Sequence, residues 1–105
     1  MFRLYELILQ VVRDVAPLLE QIGKHDPDLK RQGMRALTSV PLNTKEGSYS
    51  RGGNRGARYC NALGSMKEVG ACLDVGEALG YIDTVDATIR DRMDHVCATL
   101  WRCTH

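Results

Sequence analysis

"SVPLNTKEGSYSRGGNRGARY", residues 39–59, holds one proline, four glycines, four cationic side chains and a single Glu. Its reading decides the fold. If the glycines cradle a phosphate, they must follow a β-strand and open a helix, and the chain is α/β. If they only join two helices, the chain is a bundle. The stretch matches neither G-x-x-x-x-G-K-[ST] nor G-x-G-x-x-G, and no run of alternating apolar residues precedes it. It is therefore read first as a joint between helices, running from Pro41 to Gly53.

Four helical patterns surround that joint, predicted over about residues 3–22, 27–46, 52–79 and 84–103. In the first, Tyr5, Ile8, Val12, Val15, Leu19 and Ile22 recur at three- and four-residue steps, the seam of a bundle helix. A second stripe of Leu4, Leu7, Val11 and Leu18 lies beside it. Either this helix is central or the second stripe is buried by another subunit, and the oligomer is the favoured reading. Pro17 is expected to bend the helix and Gly23 to end it. "HDPDL" opens the second helix with Asp26 as N-cap, Pro27 in the first turn and Asp28 against the dipole. Its apolar face is Leu29, Gly33, Ala36, Leu37 and Val40. At Pro41 the pattern allows either a break or a kinked helix continuing to Glu46.

The third helix carries Tyr59, Ala62, Leu63, Met66, Val69, Leu73 and Gly76 on one face, with Gly80 as its stop. Gly64, Gly70 and Gly76 each cost about 1 kcal/mol relative to Ala inside a helix, so close approach of a neighbouring backbone is expected there. Asp83 or Thr84 caps the fourth helix, whose face is Val85, Ile89, Met93, Val96, Leu100 and Cys103. Short connections between four amphipathic helices give one all-α domain over residues 1–105, an antiparallel up-down four-helix bundle.

The apolar and charged fractions, 44% and 26%, are those of an ordinary globular chain. Net charge is only +1, but residues 24–68 sum to +5, against −1 before them and −3 after. The basic segment contains the opening stretch. No targeting signal or membrane-length apolar run is visible, so a cytoplasmic location is expected, with no membrane partner. The four cysteines form no C-x-x-C pair and have no histidine at zinc spacing, so they read as small apolar helix residues.

"RQGMRALTSVPLNTKEGSYSRGG" and "ALGSMKEVGACLDVGEALGYI" resemble the small bacterial four-helix-bundle proteins related to those encoded in ribosomal-RNA intervening sequences. The matching positions are Arg35-Ala36, Ser39-Val40-Pro41, Asn43, Glu46-Gly47, Gly64-Ser65, Glu68 and Leu79-Gly80-Tyr81. The resemblance covers nearly the whole chain. It implies a bundle that assembles into a ring, typically a pentamer. A related branch, the accessory proteins of diversity-generating retroelements, binds nucleic acid and a reverse transcriptase through a basic surface. Where the family usually has Asn-Ile-Ala-Glu-Gly, this chain reads Asn43-Thr44-Lys45-Glu46-Gly47, a more polar turn.

No enzyme and no cofactor are indicated. His25, His95 and His105 have no neighbouring nucleophile or carboxylate signature, and Asp91 with His95 makes only two ligands on one helix face. Ser65 reads as a helix-interior hydroxyl, and Glu46 and Glu68 as partners for Arg35. Two functional expectations follow. In the first, an oligomeric bundle binds RNA or DNA through Lys45, Arg51, Arg55 and Arg58, with Tyr49 and Tyr59 nearby for stacking. In the second, the protein is a scaffold that contacts only other proteins.

Overall fold

The computed structural model describes residues 2–104, apart from the Phe2 side chain; His105 and Met1 lie outside the described residues. It contains α1 (Phe2–Gly23), α2 (Pro27–Tyr49), α3 (Gly52–Ala78) and α4 (Ala87–Thr104), with no strand among the described residues. Sequential helices pack antiparallel, α1 also meets α4, and the α2–α3 interface is the most extensive. The result is a four-helix bundle 43 Å long and 25 by 19 Å across.

α1 presents Leu4, Ile8, Val11, Val15, Leu19 and Ile22 to the core. This corrects the expected second stripe. Leu4 and Val11 belong to the chain's own interior, while Tyr5, Leu7, Val12 and Leu18 lie half-buried on its flanks. A helix at the corner of a bundle touches neighbours on two sides, so its buried sector is wider than one seam. No second subunit is needed to cover Leu4 or Val11. The helix runs through Pro17 because that residue is exposed, and solvent can satisfy the carbonyl that the missing N–H leaves open.

α2 starts as the sequence predicts. Asp26 stands in extended backbone and accepts the Leu29 N–H at 3.0 Å, with Pro27 next to it. It does not break at Pro41 and extends past Glu46 to Tyr49. The polar turn stays helical because its side chains fold back onto it. Thr44 Oγ1 donates to the Val40 carbonyl at 2.8 Å, and Asn43 Nδ2 donates to the Ser39 carbonyl at 3.0 Å. Gly47 is buried under the Tyr59 ring, where a Cβ would stand 2.6 Å from a ring carbon.

α3 ends in a Schellman motif: Gly80, at φ +75°, donates to Glu77 O at 3.0 Å and Tyr81 donates to Gly76 O at 2.8 Å. α4 begins three residues later than predicted. Its cap is Asp86, whose Oδ1 accepts the Thr88 N–H at 2.7 Å, and not Asp83 or Thr84. The delay has a packing cause. Ile82 and Val85 are buried across the end of the bundle, and Val85 N–H is held by Glu77 Oε2 at 2.6 Å, so the chain enters the helix only after they are seated.

Candidate nucleic-acid interface

The joint is far shorter than predicted. Only Ser50 and Arg51 separate α2 from α3; Gly47 falls inside α2, and Gly52, Gly53 and Gly56 inside α3. Gly52, at φ +59°, makes the reversal. A glycine-rich phosphate loop therefore does not form.

The four predicted contact residues gather near this joint, but they differ in availability. Arg51 occupies the N-cap position of α3 and makes no capping bond. Arg55 Nε donates to the Ser50 carbonyl at 2.9 Å, closing the end of α2, with the rest of its guanidinium in solvent. Arg58 is ion-paired to Glu46 at 3.0 Å. Lys45 Nζ sits 4.4 Å above the Tyr5 ring, which ties the end of α2 to the start of α1. Both the Arg58 pair and the Lys45 contact are on the surface, where such interactions hold a side chain by about 1 kcal/mol or less. A ligand phosphate can compete for either cation.

The predicted aromatics separate. Tyr49 is 78% exposed and available for stacking. Tyr59 is buried against Gly47 and belongs to the core, and burial raises its phenol pKa while Arg55 opposes the rise. The expected pairing of Arg35 with Glu46 or Glu68 does not occur, because Glu46 takes Arg58 and the other two side chains stay exposed on the surface. Ser65 instead donates to Ser39 Oγ at 2.9 Å, and Asn43 Nδ2 also donates to that hydroxyl at 2.9 Å. These three residues form a polar seam between α2 and α3. Asp91, Asp94 and His95 are exposed on α4. Cys72 is buried and Cys97 half-buried, and burial raises both thiol pKa values. Cys60 and Cys103 are exposed, unlike the apolar role expected of them.

Topology then does what the sequence alone does not show. The half of the bundle built from residues 2–12, 39–65 and 96–104 carries Arg3, Lys45, Arg51, Arg55, Arg58 and Arg102 against Glu6 and Glu46, a net +4. The remaining half is −3. Lys30 and Arg31, part of the basic sequence segment, lie at the opposite end in ion pairs with Glu20 and Asp28. Arg3 and Arg102, from the two ends of the chain, join the basic end instead. Sequence reasoning missed them because the signal is a spatial sum and not a run. Among the described residues, Arg3, Arg51, Arg55 and Arg102 form no ion pair.

The fold and this surface define a four-helix bundle with one basic end. No protein family, curated protein or solved structure matches the chain. The family resemblance accordingly rests on the motif residues given above.

Proposed function

We propose that this is a non-enzymatic, cytoplasmic helical-bundle protein that associates with copies of itself and binds the phosphate backbone of RNA or DNA through its basic end. The observation that supports it is the gathering of six cations on one end against two carboxylates. Five of those cations, all but Arg58, are in no ion pair among the described residues, so phosphates meet them without first breaking a salt bridge. Repeated in the ring of five that the family resemblance implies, a net of +4 per subunit becomes a multivalent surface.

Fluorescence anisotropy of labelled oligonucleotides across a salt series tests the reading. Binding should weaken steeply with salt, because each neutralised phosphate releases counterions. An Arg51/Arg55/Arg58→Ala variant should bind more weakly and lower the slope of log affinity against log salt by about 2 to 3. An unchanged slope in that variant, or no binding at low salt, rejects the proposal. A protein scaffold is the second reading, and the 65% exposed Leu42 on α2 favours it. Association through apolar surface of that kind is nearly indifferent to moderate salt.

A further inference from the structure

Charge is separated along the long axis of this bundle. The basic end holds six cations against two carboxylates, and the opposite end, built from residues 19–31 and 71–90, holds seven carboxylates against four cations. The residues between the two ends sum to zero. Three of the four cations at the acidic end are already engaged: Lys30 is paired with Glu20, Arg31 with Asp28, and Arg90 with both Asp74 and Glu77. Asp83 and Asp86 are exposed there and form no ion pair among the described residues. Each end also exposes a large apolar side chain where a helix stops. Tyr49, 78% exposed, is the last residue of α2 at the basic end, and Leu79, 57% exposed, follows α3 at the acidic end.

A molecule with opposite charges at its two ends attracts its own copies end to end, because the carboxylates of one chain then face the cations of the next. The same approach brings Leu79 of one chain to Tyr49 of the other and covers apolar area that each leaves in water alone. The two surfaces differ, so the contact is heterologous and does not close on two copies. Its size sets its strength. The bundle is only 25 by 19 Å across, so an end offers less than the roughly 800 Å² per partner of a standard interface. Such a contact is weak, reversible and sensitive to salt.

Resting on the self-association in the reading above, we infer that the acidic end docks on the basic end of a second copy, with Leu79 and Asp83 of one chain seated against Tyr49, Arg51 and Arg55 of the next. The same arginines serve the phosphate backbone in that reading. Docking therefore masks them until a nucleic acid, with its denser line of negative charge, displaces the neighbour.

The test is light scattering of the whole chain without nucleic acid, at high protein concentration and from low salt to about 0.5 M salt. The wild type should be heavier at low salt than at high salt. Arg51/Arg55→Ala spoils the basic end, and Leu79→Lys/Asp83→Lys spoils the acidic end. Each variant should show at low salt only the mass that the wild type keeps at high salt. All four positions are exposed, so both variants should keep the helical circular dichroism of the wild type. Mixed one to one at low salt, the two should regain salt-sensitive mass, because the intact acidic end of the first fits the intact basic end of the second. Variants that keep the wild-type mass, or a mixture that regains none, overturn the end-to-end contact and leave self-association to another surface. A wild type heavier than one chain but indifferent to salt does the same. A wild type with the mass of one chain at every salt level overturns both. A short oligonucleotide that binds the wild type should also disperse its salt-sensitive assemblies, and assemblies unchanged at saturation overturn the masking.

Discussion

Two glycines with the same propensity cost have opposite meanings. Gly47 is buried, and a Cβ there would stand 2.6 Å from the Tyr59 ring. Tyr59 is itself packed in the core and cannot swing away cheaply. Gly47→Ala should therefore lose about 1–2 kcal/mol, because overpacking outweighs the helix propensity gained. Gly64 lies inside α3 at an ordinary helical φ, and a Cβ added there would meet nothing within 4 Å. Gly64→Ala should gain about 0.5–1 kcal/mol, read as a higher urea midpoint with an unchanged m-value. The expected close approach of a neighbouring backbone is found at none of Gly64, Gly70 and Gly76; only Gly76 is tightly packed, and what an added Cβ would meet there, at 2.6 Å, is the Ile22 side chain. Nothing in the sequence separates them, since the three share a six-residue spacing and differ only in which neighbour the bundle supplies. A loss of self-association in Gly64→Ala, in place of a gain in stability, would mean that another copy approaches this open face.

At the scale of helices, what was legible was what is decided locally. Asp26-Pro27-Asp28 contains the whole of an N-cap, so the start of α2 could be read from three letters. Asp26→Ala should cost about 1 kcal/mol, visible as a melting point lower by several degrees. The start of α4 was not legible, because Asp83, Thr84 and Asp86 are all competent caps and burial of Ile82 and Val85 chooses between them. The path through Pro41 was equally undecided, because it depends on Gly47 and Tyr59 packing two turns further on. Asp86 also gives a pH signature. Its carboxylate pKa is lowered, chiefly by the Thr88 backbone N–H it accepts and then by the Thr88 hydroxyl. A carboxyl with a depressed native pKa stabilises the fold above its unfolded value, near 4, and loses that contribution as pH falls through the native value. Asp86→Asn keeps the acceptor but does not titrate. Melting curves between about pH 5 and pH 2 should show the wild type losing more stability on acidification than Asp86→Asn, and parallel curves would remove Asp86 from the acid response.

For the whole molecule, the bundle was legible because four apolar periodicities survive in one linear reading, while the site was legible only in part. Lys45, Arg51, Arg55 and Arg58 lie close in sequence and stay close in space, but Arg3 and Arg102 reach the same end only because α1 and α4 are antiparallel. The same logic decides where self-association through α1 can be tested. Val11 is wholly buried in its own subunit, so Val11→Glu places a carboxylate in the core and should unfold the chain whatever its oligomeric state. Leu7 lines a groove between α1 and α4 together with Arg3 and Arg102 of the basic end, so a charge there disturbs two surfaces at once. Leu18 is half-buried, packs on the edge of the core and lies in the acidic half, away from the proposed ligand surface. Leu18→Glu should remain helical by circular dichroism at a cost of roughly 1–2 kcal/mol. If α1 joins subunits through this flank, the same variant should fall to the mass of a single chain by light scattering, in salt that screens end-to-end contacts, while the wild type is several times heavier. A wild-type mass kept by Leu18→Glu would move any subunit contact off this flank of α1. Oligonucleotide affinity then separates the two levels: a dissociated Leu18→Glu should bind a short probe as tightly per subunit as the wild type, and should lose the multivalent gain only on strands long enough to reach a second basic end.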